Sequence, residues 1–305
     1  KLKSDYLKLP TGSLGIPAFG TDTAIDTLKD AKPATFADLV IISGLSHGEM
    51  VWGHNAQDLI RSGQCTINEV IGCRDDIMTY LIKKGLPNDV SFKIMEAVRK
   101  GKKVSKENAD LMREKGVPEW YIESCNKIKY MFPKAHAVSY VTMGVRVGYF
   151  KVYYPLEFYA VWFSVRSKDY DIKPMLGGLN SCIERFSELK RKMHNKTEKI
   201  STKEKDLYNM LKIAIEMHER GYKFKNIDLY QSGASDFVIN YKEKSLILPF
   251  AVLPNLGDSA AESVIEARKQ GKFTSKEDLL ARTKLSKTNV DQLDELGVLE
   301  GLRDT

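Results

Sequence analysis

Three short stretches of this 305-residue chain carry residues arranged to hold phosphate. In MFPKAHA, Pro133 fixes a helix start and leaves Lys134 and His136 on its first turn. Unpaired N–H groups and the positive end of the helix favour an anion there. In SGLSHG, Gly44 and Gly48 loosen a loop around Ser43, Ser46 and His47. Such a loop lets backbone and hydroxyl groups approach a ligand, and a helix-capping turn with no ligand suits the same residues. In LPNLGDSAA, a short apolar run meets a tight turn and a helix begins at once, the layout of a helix-hairpin-helix. The usual turn of that motif is Gly-hydrophobic-Gly, whose N–H groups and following helix face a DNA phosphate. Here Asn255 replaces the first glycine, and Leu256, Gly257, Asp258 and Ser259 complete the run. Asparagine is the side-chain-bearing residue that best tolerates positive φ, so the turn survives. A contact of this kind positions a duplex by its backbone and carries no sequence information. A plain helix connection with Asp258 as N-cap is the alternative.

Other chemistries find less support. The four cysteines (65, 73, 125 and 182) have neither C-x-x-C spacing nor a nearby pair of histidines, which predicts reduced, buried thiols and no zinc site. Residues 120–163 are dense in aromatics beside Lys127, Lys129, Lys134, Arg146 and Lys151, a composition that can stack bases and hold phosphates. Helical spacing turns most of those rings toward a core instead. The charge is uneven: residues 61–225 hold 32 Lys and Arg against 20 carboxylates, including RKGKK (99–103) and LKRK (189–192), while both flanks are slightly acidic. That predicts a polyanionic partner, with solvated lysine faces as the plainer reading.

Around these stretches the signals are helical. Ser201-x-x-Glu204 is a capping box closed by Gly221, Ser259-x-x-Glu262 and Thr274-x-x-Glu277 follow the same grammar, and a last helix runs from Ser286 to Gly297. DFVIN (236–240) and SLIL (245–248) across YKEK are the β signals. The expected class is mainly α with a short β-ribbon. A composition change at DIKPMLGG (171–178) places a boundary between a domain 1–175 and a domain 176–305. No run of 18 apolar residues lacks charge, so no membrane partner is expected. The opening KLKSDYLKLP has neither an initiator Met nor a secretory h-region, which predicts a soluble, cytoplasmic piece of something longer.

Taken together, several segments resemble the PolC-type alpha subunits of bacterial DNA polymerase III. Among them are LGIPAFGT (14–21), ISGLSHG (42–48), VPEWYIESCNKIKYMFPKAHAVSY (117–140), RVGYFKVYYPLEFYA (146–160) and LPNLGDSAAESVIEAR (253–268). The resemblance implies a fingers domain followed by a duplex-binding domain with tandem helix-hairpin-helix elements, the second half being KLSKTNVDQLDELGVLEGL (284–302). It implies contacts to an incoming dNTP or its triphosphate from Ser46, His47, Lys129, Lys134, His136 and Arg146, and to primer-template DNA from residues 255–259. It also implies a nucleotidyltransferase whose Mg2+ ions are held by palm residues absent from this chain. The fragment alone is then expected to be inactive. Asp75-Asp76 reads as helix-surface charge. The family's sliding-clamp peptide is not matched by Leu302-Arg303-Asp304-Thr305, so clamp binding is expected only of a full-length protein. The rival readings are a stand-alone, non-catalytic helix-hairpin-helix DNA-binding module and a helix-hairpin-helix repair enzyme, which would want a Lys or Asp just after the hairpin.

Overall fold

The computed structural model describes residues 4–195 and 198–305. Its contacts divide into two compact units, Leu9–Tyr149 and Phe150–Thr305, the latter with the N-terminal residues to Lys8.

In the Leu9–Tyr149 unit the helices are α1 (Asp22–Ala31), α2 (Phe36–His47), α3 (Gln57–Arg61), α4 (Arg74–Lys83), α5 (Asn88–Arg99), α6 (Lys106–Glu114), α7 (Glu119–Lys127) and most of α8 (Lys134–Tyr153). Apolar residues at three- and four-residue steps close its core, with Ile42, Leu45, Ile77, Leu81, Val98 and Met112 fully buried. Thr35 and Asp38 form a capping box at the start of α2. SGLSHG is no loose loop: Ser43–His47 form the end of α2, about one and a half turns, and Gly48 is its C-cap. Gly44 is there because a Cβ would lie 2.4 Å from the Gly72 carbonyl oxygen and 2.6 Å from Cys73 Sγ.

The Phe150–Thr305 unit continues with α9 (Pro155–Val161), α10 (Ile172–His194), α11 (Thr202–Glu219), β1 (Lys223–Lys225), β2 (Val238–Asn240), β3 (Ser245–Ile247), α12 (Asp258–Lys269), α13 (Lys276–Arg282) and α14 (Lys287–Glu295). The sheet order is β1-β3-β2. The expected pair β2 and β3 runs antiparallel, with Val238 opposite Ile247. β1, which has no clear alternation in sequence, joins parallel to β3 with Lys223 opposite Ser245. Phe163 packs on Phe224 and Phe237 at ring distances of 4.9 and 5.5 Å. The end of α8 joins this unit through Lys151, whose ammonium lies 2.8 Å from Glu216 Oε1 with both side chains fully buried. Tyr159 donates to the same oxygen at 2.8 Å, and Arg220 donates to the Lys151 carbonyl at 2.9 Å. Burial raises the Glu216 carboxyl and lowers the Lys151 ammonium against the attraction of the pair. These contacts tie the end of α8 to the Phe150–Thr305 unit.

Capping follows the sequence at α11 and α14, where Ser201 and Ser286 form capping boxes with Glu204 and Asn289. It departs at two starts. α13 is capped by Ser275, one residue after the expected Thr274, with its hydroxyl accepting from the Asp278 N–H. At α12 the N-cap is Gly257, in an extended conformation, and Ser259 is already in the first turn. All four cysteines are free and buried. Burial pushes the Cys65 thiol up to about 11 and Cys73, Cys125 and Cys182 to about 12, which makes them poor nucleophiles. Among the described residues no helix is long and apolar enough to cross a membrane.

Candidate nucleic-acid interface

In the Leu9–Tyr149 unit, the end of α2 meets the start of α8. His47, the last residue of α2, places Nδ1 2.8 Å from the Ser43 carbonyl oxygen. A carbonyl only accepts, so Nδ1 carries a hydrogen, and in the neutral ring Nε2 is left as an acceptor. The exposed imidazole lies nearly parallel to both Phe132 (4.9 Å, 23°) and Tyr140 (5.7 Å, 16°), which are themselves 5.8 Å apart, so the three rings form a triangular cluster. Phe132 in turn faces the edge of His136 at 5.9 Å. The Ser46 hydroxyl sits 3.2 Å from both the Ser43 carbonyl and His47 Nδ1. Glu49 fixes this meeting by pairing with the 129–130 segment: its N–H donates to the Tyr130 carbonyl at 2.9 Å and its carbonyl accepts from the Lys129 N–H at 3.0 Å. Ser46, His47 and His136 thus belong to one cluster, joined by two rings, Phe132 and Tyr140. Sequence reasoning assigned those rings only to an aromatic block. The available signal was Tyr140 standing one helical turn after His136.

Lys134 differs from the sequence reading. The N–H that should be open at the start of α8 donates to Asp75 Oδ2 at 2.8 Å. The Lys134 ammonium is paired with Asp76 Oδ1 at 2.8 Å, and this hydrogen bond raises its pKa. Asp75 and Asp76 are therefore cross-helix ligands from α4 and not merely surface charge. Asp76 also accepts the Cys73 N–H at 2.8 Å. With both carboxylates committed in this way, the pair does not fit a metal centre, and among the described residues no cluster of three or more His, Cys, Asp or Glu is placed to hold one. Lys129 is exposed and only 3.9 Å from Glu49. Arg146 is exposed three turns beyond Lys134, about 18 Å along the helix, outside the cluster. Lys151, one of the cations of the aromatic block, is unavailable because of its buried pairing with Glu216.

In the Phe150–Thr305 unit the hairpin has the expected backbone. A single 3-10 turn (Phe250–Val252) precedes it. Asn255 takes φ 61°, in the left-handed region. Leu256 is buried and anchors the turn, its N–H donating to the Leu253 carbonyl at 3.3 Å. Gly257 caps α12 with its carbonyl, accepting from the N–H groups of Ala260 and Ala261 at 3.0 and 3.1 Å. The N–H groups of Gly257, Asp258 and Ser259 have no acceptor among the described residues and lie at an exposed surface. The Lys284 ammonium, from the turn between α13 and α14, donates to the Ser259 hydroxyl at 2.9 Å and brings a cation to the same edge. The second half is different: Ser286 closes the start of α14, its hydroxyl 3.2 Å from the Asn289 N–H and 2.7 Å from Asn289 Oδ1. Chemically, the first half can hold an anion by backbone and the second holds its own N–H groups.

Comparison with known proteins agrees with this layout. The profile of the bacterial DNA polymerase III alpha subunit finger domain matches residues 8–117, and that of the helix-hairpin-helix motif matches residues 221–305. The chain is 50% identical over 300 residues to the DNA polymerase III PolC-type of Oceanobacillus iheyensis, covering 98% of this chain and 21% of that protein. It is 52% identical over 294 residues to the PolC-type enzyme of Bacillus subtilis, covering 96% of this chain and 20% of that protein. The chain thus spans about a fifth of the length of the relatives it matches.

Proposed function

Since this chain belongs to the PolC-type DNA polymerase III family, we propose that it is the part of such a polymerase that holds the incoming dNTP and the primer-template duplex. The observation that carries the reading is the run of three unclaimed N–H groups at Gly257, Asp258 and Ser259 behind a left-handed Asn255. That run suits a phosphodiester and is indifferent to base identity. The nucleotide lies at the other cluster. His47 offers a ring edge and, in its neutral form, an acceptor nitrogen, the neighbouring Phe132 and Tyr140 offer aromatic surface, and Ser46, Lys129, Lys134 and His136 are assigned to the same site. Arg146, about three turns further along α8, is left out of this cluster. Lys134 reaches a triphosphate by exchanging Asp76 for a phosphate oxygen, a trade between two anions that costs little because the ammonium stays paired.

In the whole polymerase the reaction is attack of a primer 3′ oxygen on the α-phosphorus of the dNTP with loss of pyrophosphate. The acidic palm residues and their Mg2+ ions, which this chain does not supply, carry that step. This chain binds, orients and closes over the substrates, and by itself does not extend a primer. The test is Lys134→Ala in a full-length relative. The dNTP KM rises about tenfold while duplex affinity is unchanged, as expected for loss of a ground-state phosphate contact. An unchanged KM would remove Lys134 from the site.

A further inference from the structure

A basic surface of the Leu9–Tyr149 unit uses residues that neither site above includes. The RKGKK run leaves α5 through a turn in which Gly101 takes φ 71°. A Cβ at Gly101 would lie 2.8 Å from the Lys129 carbonyl oxygen, so only glycine permits this approach to the 126–129 segment. Three residues on, the Val104 N–H donates to Asn126 Oδ1 at 2.8 Å. Two basic segments distant in sequence are thereby locked side by side. Lys102 and Lys103 are exposed and pair with no carboxylate among the described residues. The exposed Lys127 ammonium rests on the His54 carbonyl at 3.1 Å and keeps its charge uncompensated. Of the nearby carboxylates, Glu96 is shared by Arg99 and Lys100 and Glu49 lies 3.9 Å from Lys129, while the exposed Glu107 and Glu123, four residues from Lys103 and Lys127 respectively, form no ion pair with them. Beside these cations stands Tyr130, 46% exposed, on backbone fixed by its pairing with Glu49.

We infer that this surface binds single-stranded DNA, the ammonium groups of Lys102, Lys103 and Lys127 taking successive phosphates and Tyr130 stacking on a base. Cations without acidic partners select a polyanion, and an exposed ring on a rigid backbone selects an unpaired base, whose faces a duplex hides. Glu49 and Tyr130 each stand two residues from the His47–Phe132 stack, so the surface borders the nucleotide cluster. Its assignment to the unpaired template strand rests on the function proposed above, whereas the single-strand binding does not.

The experiment is fluorescence anisotropy of a labelled 25-nucleotide oligo-dT with this chain, without nucleotide, across a salt series. Lys102→Ala/Lys103→Ala/Lys127→Ala leaves every residue assigned to the dNTP and the hairpin in place. It is expected to weaken binding at least tenfold at low salt and to reduce the log–log salt slope by about 2. The control Lys83→Ala/Lys93→Ala/Lys115→Ala removes the same charge elsewhere on the unit and leaves the slope unchanged. Tyr130→Ala weakens binding about tenfold with the slope unchanged, and Tyr130→Phe restores it. Equal losses in the two triple variants, or a slope untouched by the first, overturn the inference. Neither outcome bears on the dNTP KM or on duplex binding at the hairpin.

Discussion

The start of α8 and the start of α12 look alike in sequence, each a turn-forming proline or glycine followed by a first turn able to receive an anion, yet the structure treats them oppositely. At α8 a carboxylate from α4 already sits on the first N–H, and the neighbouring carboxylate holds Lys134. At α12 the cap is a glycine without a side chain, and three N–H groups face outward. On the function proposed above, the internal anion at the first start means that a nucleotide phosphate enters only by exchange. The second start keeps its N–H groups open and gives up the stability that a polar cap would have added.

The contrast can be broken by moving the caps. Removing one from α8, as Asp75→Ala, is expected to cost about 1 kcal/mol of stability, read as a lowered urea midpoint at unchanged slope. No loss would mean that Asp75 is incidental to the helix. Neutralising the competitor, as Asp76→Asn, keeps an acceptor for the Cys73 N–H and frees Lys134, so in a full-length relative the dNTP KM should fall about threefold. A rise would show that Asp76 helps hold the nucleotide. Adding a cap at α12, as Gly257→Ser, should stabilise the chain by only about 0.3 kcal/mol, because Gly is a tolerable cap and no atom lies within 4 Å of the new Cβ. A destabilised variant would mean the site is strained. The smallest effect separates the units by pH. Burial holds the His218 imidazole on α11 below its ordinary value of 6.5, so the native state disfavours the proton that the unfolded chain binds. Stability of the Phe150–Thr305 unit therefore falls as pH drops below about 6.5, and His218→Gln removes that part of the slope in calorimetric melts at pH 5 and 7.

What the sequence disclosed follows from how far apart the interacting residues are. Ser201 with Glu204 and Ser286 with Asn289 are local pairs, three residues apart, and both were legible as helix starts. So were the β2–β3 ribbon and the positive φ of Asn255, which depend on a few adjacent residues. The capping of α8 was not legible, because Asp75 lies 59 residues from Lys134 and nothing local marks it as a partner. Gly44 suggested looseness when it serves close packing on Gly72, whose carbonyl oxygen an added Cβ would meet at 2.4 Å, another contact that only packing reveals. Lys151 illustrates the same limit: it stood in the sequence among cations able to hold phosphate, and a buried Glu216 from another helix claims its charge. The His47 stack was half visible, its polar members from composition and its rings hidden among a dozen aromatics whose roles differ only by fold.

The most direct measurement is the affinity of this chain for two duplexes of unrelated sequence, before and after Gly257→Asp. The new carboxylate would sit on the open N–H groups, as Asp75 does at α8, and repel phosphate. A hairpin that grips the DNA backbone predicts at least a tenfold loss, equal for both duplexes. Unchanged affinity, or a loss confined to one sequence, would contradict it.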